Sequence, residues 1–131
     1  MTPHPGEMSR LLGRSINSIQ ADRLAAARQA AAKFNAIIVL KGQGTVVASP
    51  DGRSYTNKTG NPGLATGGTG DVLTVMIAGL IGQGLSAYDA AVTGVYLHGL
   101  AGDLATKEKG ETSLIASDLV EMIPYAIQKN N

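Results

Sequence analysis

The segment Asn61–Leu73 reads NPGLATGGTGDVL, and an apolar run follows it directly. Glycine permits positive φ angles and lets a ligand approach the backbone closely. A glycine-rich turn that opens a helix directs free N–H groups outward, and these groups bind anions with the help of the helix dipole. The pattern therefore predicts a phosphate-binding turn at the amino terminus of a helix over residues 69–83.

Asp71 lies at the mouth of this predicted anion site. A carboxylate beside a phosphate cradle repels a phosphate, but it suits a base that removes a proton from a hydroxyl about to receive a phosphoryl group. The alternative is a tight connection in which the acid only complements the helix dipole. The length of the glycine-rich segment and its preceding Asn-Pro-Gly turn favour the catalytic interpretation.

Two better-known phosphate motifs do not fit the chain. Gly63 and Gly68 have the spacing of a P-loop, but Thr69 occupies the place of its lysine. The Gly42-Gln43-Gly44 segment lacks the third glycine of a dinucleotide-binding fingerprint. A phosphate loop of another kind is expected.

Composition narrows the class of protein. The chain has 131 residues, 44% of them hydrophobic and 16% charged, which suits one folded domain. A net charge of +1 without a long basic stretch argues against a nucleic-acid partner, and the lack of cysteine excludes disulfides. No signal peptide or membrane-spanning run is visible, so a cytoplasmic protein is expected.

Hydrophobic patterning predicts alternating helices and short strands. The apolar run at residues 36–40 is typical of a strand buried on both faces in a parallel sheet, which indicates an α/β fold. A Pro-Asp-Gly turn at residues 50–52 predicts a hairpin. The expected helices cover 6–13, 18–34, 69–83, 87–107 and 117–128, and the expected hairpin strands cover 45–48 and 53–56. We expect the helix over 69–83 to be buried nearly all round, and Ser117 to cap the last helix.

Several polar residues have open interpretations. Lys41 follows the buried strand, where open α/β sheets bind ligands. Taken alone, this segment is better explained by a surface lysine opening a turn, but the glycine-rich loop some thirty residues later favours a ligand-binding role. His4 lies between two prolines, which suits either a presented side chain or a structural helix entry. His98 is expected to be packed, and Asp103 and Glu111 to be solvated. The sequence is compatible with two roles for Asn57 and Asn61, which are ligand binding and turn capping.

Four segments together resemble the ADP/ATP-dependent NAD(P)H-hydrate dehydratases. They are TPHPGEM at 2–8, KGQGT at 41–45, GNPGLATGGTGDVL at 60–73 and GVYLHG at 94–99. The resemblance implies a ribokinase-like fold, which is a Rossmann-like three-layer α/β architecture. It also implies that residues 1–131 form a single partial domain, the C-terminal half with the N-terminal half absent. That half would hold one buried parallel strand, a β-hairpin and four to five helices.

The resemblance also implies an activity and a set of roles. The activity is repair of hydrated NADH or NADPH, in which ADP or ATP phosphorylates the hydroxyl before phosphate is eliminated. Asp71 would be the catalytic base, and His4 and Asp71 would contact the substrate. The nucleotide would contact Lys41, Gly42, Gln43, Gly44, Thr45 and Gly70, and the anion hole would comprise Gly67, Gly68, Thr69 and Gly70. Mg²⁺ would be held by nucleotide phosphates and water, because no acidic residues and histidines are spaced in the sequence as the ligands of a protein metal site are.

The chain departs from the family pattern at Leu64, where methionine is usual, and at Val75, where a small glycine is common. Two alternatives remain open: another ribokinase-like small-molecule kinase, or an inactive fragment that acts only as an assembly module. The expected partners are the hydrated dinucleotide, an adenine nucleotide, and either further copies of the chain or the missing half.

Overall fold

A computed structural model describes residues 1–131, which form two compact units, Met1–Asn57 and Lys58–Asn131. The first unit contains three helices followed by three strands. The helices are α1 (Pro5–Leu12), α2 (Ile16–Ala21) and α3 (Arg23–Phe34), and the strands are β1 (Ile38–Leu40), β2 (Val46–Ala48) and β3 (Ser54–Thr56).

The strands form an antiparallel sheet in the order β1-β2-β3. Val39 faces Val47 across the first pair, and Val47 faces Tyr55 across the second. The predicted hairpin is confirmed, because Gly52 donates its amide hydrogen to the Ser49 carbonyl oxygen at 3.1 Å. Helix α3 packs its alanine face on β1 and β2, and these elements share one core.

The other edge of β1 pairs with the segment Met1–Pro3. The Met1 nitrogen donates to the Ile37 oxygen at 2.7 Å, the Val39 amide donates to the Met1 oxygen at 2.8 Å, and the Lys41 amide donates to the Pro3 oxygen at 2.9 Å. Partners on both segments advance in the same direction, which is the parallel pattern. The expectation that β1 is buried is confirmed. The expectation of a parallel sheet is not, because the strand that pairs with β1 is the antiparallel β2 and only the short Met1–Pro3 segment runs parallel to β1.

One predicted helix is two helices. The segment 18–34 divides at Asp22, whose non-helical backbone (φ −147°, ψ 83°) ends α2 and whose side chain accepts a hydrogen bond from the Ala25 amide at 2.9 Å. This short acid caps α3, a role that competes with continuing a helix. The break explains why the chain has six α-helices instead of four or five.

The second unit contains a short 3-10 helix, Pro62–Ala65, and three α-helices. These are α4 (Thr69–Gly82), α5 (Ala87–Lys109) and α6 (Ala116–Lys129). Helix α5 packs against both α4 and α6. Their shared core consists mainly of Leu97, Ala101, Ala105, Leu114, Leu119, Met122 and Ala126.

Two expectations for these helices were wrong. Helix α4 is not buried all round, because Val75 is 71% exposed and Ile81 is 45% exposed. An apolar helix buries only the side that meets a neighbour, and α4 buries Thr69, Leu73 and Ile77. Helix α6 is not capped by Ser117; the Asp118 carboxylate accepts the Ile115 amide hydrogen at 3.0 Å and also pairs with Lys109.

No helix of the chain is both long and apolar enough to cross a bilayer.

Candidate functional site

The segment before α4 is folded by its own side chains. The Asn61 side-chain oxygen accepts the Gly63 amide hydrogen at 3.0 Å and so caps the 3-10 helix, which is the turn-capping role considered for Asn61. The Thr66 hydroxyl donates to the Gly63 oxygen at 2.9 Å. The Thr69 hydroxyl lies 2.7 Å from the Leu64 oxygen and 2.8 Å from the Thr66 oxygen. These bonds use the hydroxyl hydrogens of both threonines to fix the turn.

The glycines of this turn leave amide groups unpaired. Gly68 occupies the N-cap of α4 with φ 88°, a conformation that favours glycine, and it supplies no side-chain cap. The amides of Gly67, Gly68 and Gly70 have no acceptor within the chain. The Thr69 amide makes a long bond of 3.4 Å to the Thr66 oxygen. Unpaired amides at a helix amino terminus are donors for an anion.

Asp71 is the third residue of α4 and is exposed. Its amide donates to the Gly68 oxygen at 3.1 Å, while its carboxylate makes no hydrogen bond or ion pair within the chain. The carboxylate can therefore accept a proton beside the unpaired amides.

Lys41–Thr45 forms the turn between β1 and β2. Gly42 has φ 138° and Gly44 has φ 62°, values that disfavour any other residue. The Thr45 hydroxyl closes the turn by donating to the Gly42 oxygen at 3.0 Å. Both Gly42 and Gln43 are exposed, so a ligand can reach the backbone of this turn.

Arg23 supports this turn and was missed in the sequence analysis. One guanidinium nitrogen donates to the carbonyl oxygens of Leu40 and Lys41, at 3.0 and 3.2 Å. A Cβ on Gly42 would lie 3.0 Å from the same guanidinium group. Arg23 has no carboxylate partner, and its buried Nε makes no hydrogen bond. Burial lowers the pKa of the guanidinium from its ordinary value. No local sequence signal links α3 to a turn 18 residues later.

His4 is the N-cap of α1. Its Nδ1 accepts the amide hydrogens of Gly6 at 3.0 Å and Glu7 at 3.2 Å, while the Glu7 carboxylate accepts the His4 amide hydrogen at 2.7 Å. This capping box lowers the pKa of Glu7, chiefly through the hydrogen bond from the His4 amide. Because Nδ1 is an acceptor, neutral His4 carries its proton on Nε2.

Lys41 lies close to this cap. Its Nζ is 4.0 Å from the Glu7 carboxylate, whose other oxygen is 3.5 Å from His4 Nε2. The first unit thus brings together two of the residues predicted to bind ligands, with an acid that the sequence analysis had not assigned. The second unit brings Asp71 together with Gly67, Gly68, Thr69 and Gly70.

Helix α5 carries two polar residues that contact the glycine-rich segment. His98 is packed, as expected: its Nε2 lies 2.8 Å from the Thr69 oxygen, and burial lowers its pKa below the ordinary value. Asp103 is not simply solvated, which corrects the prediction. It accepts the Gly60 amide hydrogen at 3.0 Å and a hydrogen of the Asn61 side-chain amide at 2.9 Å.

Comparison with known proteins identifies the family of the chain. The family model described as NAD(P)H-hydrate dehydratase matches residues 1–125. The chain belongs to the NAD(P)H-hydrate dehydratase family. It is 53% identical over 128 residues to a bifunctional NAD(P)H-hydrate repair enzyme of Moorella thermoacetica, covering 98% of this chain and 24% of that enzyme. It is 48% identical to an ADP-dependent (S)-NAD(P)H-hydrate dehydratase of Neisseria meningitidis, covering 91% of this chain and 40% of the relative.

Solved structures show the fold. The chain matches an ADP/ATP-dependent NAD(P)H-hydrate dehydratase of Bacillus subtilis, co-crystallised with ATP and Mg²⁺, with a TM-score of 0.95 and 42% identity over 99% of this chain and 47% of that one. A ribokinase-like superfamily protein of Enterococcus faecalis matches with a TM-score of 0.82 and 34% identity over 98% of this chain and 43% of that protein. The ribokinase-like fold expected from the sequence is thereby confirmed. The chain spans less than half the length of each of these four proteins.

Proposed function

We propose that this chain carries the nucleotide-binding and phosphoryl-transfer residues of an ADP/ATP-dependent NAD(P)H-hydrate dehydratase. The observation that carries the proposal is the set of unpaired amides of Gly67, Gly68 and Gly70 beside the free carboxylate of Asp71. Family membership favours this activity over that of another ribokinase-like small-molecule kinase.

In the proposed reaction, Asp71 takes the proton from the hydroxyl of the hydrated nicotinamide ring. The oxygen then forms a bond to the terminal phosphorus of ADP or ATP, and the bond from that phosphorus to the bridging oxygen breaks. The amides of Gly67, Gly68 and Gly70 would hydrogen-bond the oxygens of the transferred group, where negative charge develops. Phosphate subsequently leaves the ring with the electron pair of the carbon–oxygen bond, a proton leaves the adjacent carbon, and the double bond returns.

The remaining roles belong to the first unit. The backbone of Lys41–Thr45 would bind the adenine nucleotide, supported by the charge of Lys41. The Nε2–H group of His4 is oriented by its cap to donate a hydrogen bond, which suits an oxygen of the substrate. No three acidic or histidine side chains of the chain cluster as metal ligands. Mg²⁺ would therefore accompany the nucleotide, bound by its phosphates and by water.

Substituting Asp71 tests the base. Asp71→Asn keeps the size of the side chain and loses the basic oxygen, so it should retain nucleotide affinity and lose turnover of hydrated NADH with ADP or ATP and Mg²⁺. Turnover is followed by the returning absorbance of the reduced nicotinamide ring. Retained turnover in this variant would refute the base assignment.

Substituting Lys41 tests the nucleotide turn. Lys41→Ala should raise the dissociation constant for ADP about tenfold, equivalent to about 1.4 kcal/mol, when measured by calorimetry. Lys107→Ala removes an exposed lysine of α5 and is the matched control. If the two variants bind ADP with equal affinity, Lys41 is a surface lysine without a role in nucleotide binding.

A further inference from the structure

The segment Thr59–Thr69 lies along one face of α5. The α5 residues that meet it are His98, Gly99, Gly102 and Asp103, whose spacing places them on adjoining turns of one helix face. The Thr59 hydroxyl also donates to the Tyr96 oxygen at 2.8 Å. Helix α5 therefore supports the segment from Thr59 to Thr69, which also approaches Glu111, Leu114 and Ala116 beyond that helix.

Two glycines allow this close approach. A Cβ on Gly99 would lie 2.2 Å from the Thr59 hydroxyl oxygen and 2.7 Å from the Thr59 main-chain carbon. A Cβ on Gly102 would lie 2.7 to 2.9 Å from the Leu64 side chain. Any side chain at these positions would push the segment away from α5.

Asp103 supplies the polar part of the contact. Each of its carboxylate oxygens accepts one hydrogen bond, from the Gly60 amide and from the Asn61 side-chain amide. The Asn61 oxygen in turn accepts the Gly63 amide hydrogen. The bonds from Thr66 to Gly63 and from Thr69 to Leu64 carry the connection onward to the start of α4.

We propose that Asp103 is a positioning residue for phosphoryl transfer, acting through Asn61 to hold the unpaired amides of Gly67, Gly68 and Gly70 in place. The inference rests on the proposed function of those amides. Asp103 is half-buried and stands outside the apolar core that α5 shares with α4 and α6. Its replacement should therefore affect the segment more than the packing of the helices.

Asp103→Asn tests the proposal with little change in volume. Asparagine offers one acceptor oxygen in place of two, so one of the two donors loses its partner. We expect kcat to fall by about tenfold to a hundredfold, because small displacements of reacting groups lower the rate by such factors. KM for ADP should change by less than about twofold. Amide hydrogen exchange at Gly60 and Gly63 should become faster.

Glu108→Gln is the matched control. Glu108 lies on the same helix, is exposed and makes no hydrogen bond, so its variant should keep wild-type kcat and exchange rates. If Asp103→Asn does not fold, Asn61→Ala removes the same contact from the other side and should show the same loss of kcat. Wild-type kcat and exchange in Asp103→Asn, or equal losses in Glu108→Gln, would overturn the proposal.

Titration with pyrophosphate separates this proposal from the dehydratase assignment. In the wild-type chain we expect pyrophosphate to shift the NMR signals of the Gly67, Gly68 and Gly70 amides, and Asp103→Asn should weaken that response. Such a result without turnover of hydrated NADH would refute the proposed reaction but show that Asp103 positions these amides for binding an anion. No response of these amides in the wild-type chain would overturn both.

Discussion

Gly99→Ala tests whether α5 and the segment Thr59–Thr69 are in steric contact. Alanine in a helix interior is normally favoured over glycine by about 1 kcal/mol. Here the new Cβ would lie 2.2 Å from the Thr59 hydroxyl oxygen and 2.7 Å from two main-chain atoms of that residue. Overpacking costs about 1–3 kcal/mol, and backbone atoms yield less readily than a side-chain end. The net effect should be a loss of about 1–2 kcal/mol.

Gly79→Ala is the matched variant. Gly79 lies in α4, and a Cβ there would meet nothing within 4 Å. The substitution should raise the free energy of unfolding by about 0.5–1 kcal/mol, because it restricts the unfolded chain and favours the helix. The same chemical change is therefore expected to have opposite signs in two neighbouring helices.

The assay is thermal and urea unfolding of the three proteins side by side. For a chain of this length, a change of 1 kcal/mol shifts Tm by roughly 4 °C. Gly79→Ala should melt a few degrees above wild type, and Gly99→Ala several degrees below it. If Gly99→Ala proves as stable as Gly79→Ala, the close approach to Thr59 does not exist and the support of the segment by α5 is wrong.

Three further changes probe other contacts. Gly102→Ala should destabilise less than Gly99→Ala, by about 1 kcal/mol, because its new Cβ would meet only the Leu64 side chain. Leu64→Ala in the same chain should recover part of that loss because it removes the clashing atoms, and equal instability of the single and double variants in urea would contradict this. Burial lowers the pKa of His98, so its contribution to stability should be complete above its unfolded pKa near 6.5 and should fall as the pH drops below that value. If the urea midpoint depends on pH equally in the wild type and in His98→Gln, His98 does not contribute the pH dependence. Arg23→Met should raise the dissociation constant for ADP by several-fold, because the carbonyl oxygens of Leu40 and Lys41 lose their donor. An unchanged dissociation constant by calorimetry would show that the turn keeps its conformation without Arg23.

Local signals were read correctly from the sequence. Gly13 and Asn35 end α1 and α3 with positive φ, as expected of glycine and asparagine at helix ends. The Pro-Asp-Gly turn gave the hairpin with its correct strands. The amino terminus of α4 also follows from the sequence, because glycine, threonine and aspartate within a few residues form a pattern typical of a helix start. Each of these features depends on neighbours in the chain.

Features that depend on distant residues were not predicted. Arg23 and Asp103 look like ordinary surface charges in the sequence, yet each bonds to a turn 17 to 43 residues away. The exposed side of α4 was likewise missed, because apolar composition shows what a helix can bury and not how many neighbours it has. Asp22 was read as part of a helix because its capping bond competes closely with helix continuation.

The parallel pairing of Met1–Pro3 with β1 has a consequence for the order of folding events. The β2–β3 hairpin closes a short loop, whereas Met1 meets Ile37, beside β1, only across helices α1, α2 and α3 and a separation of 36 residues. Closing the longer loop loses more chain entropy before native contacts stabilise it. We expect this edge to form after the transition state, so that substitutions in Met1–Pro3 mainly accelerate unfolding, while substitutions in the hairpin slow refolding.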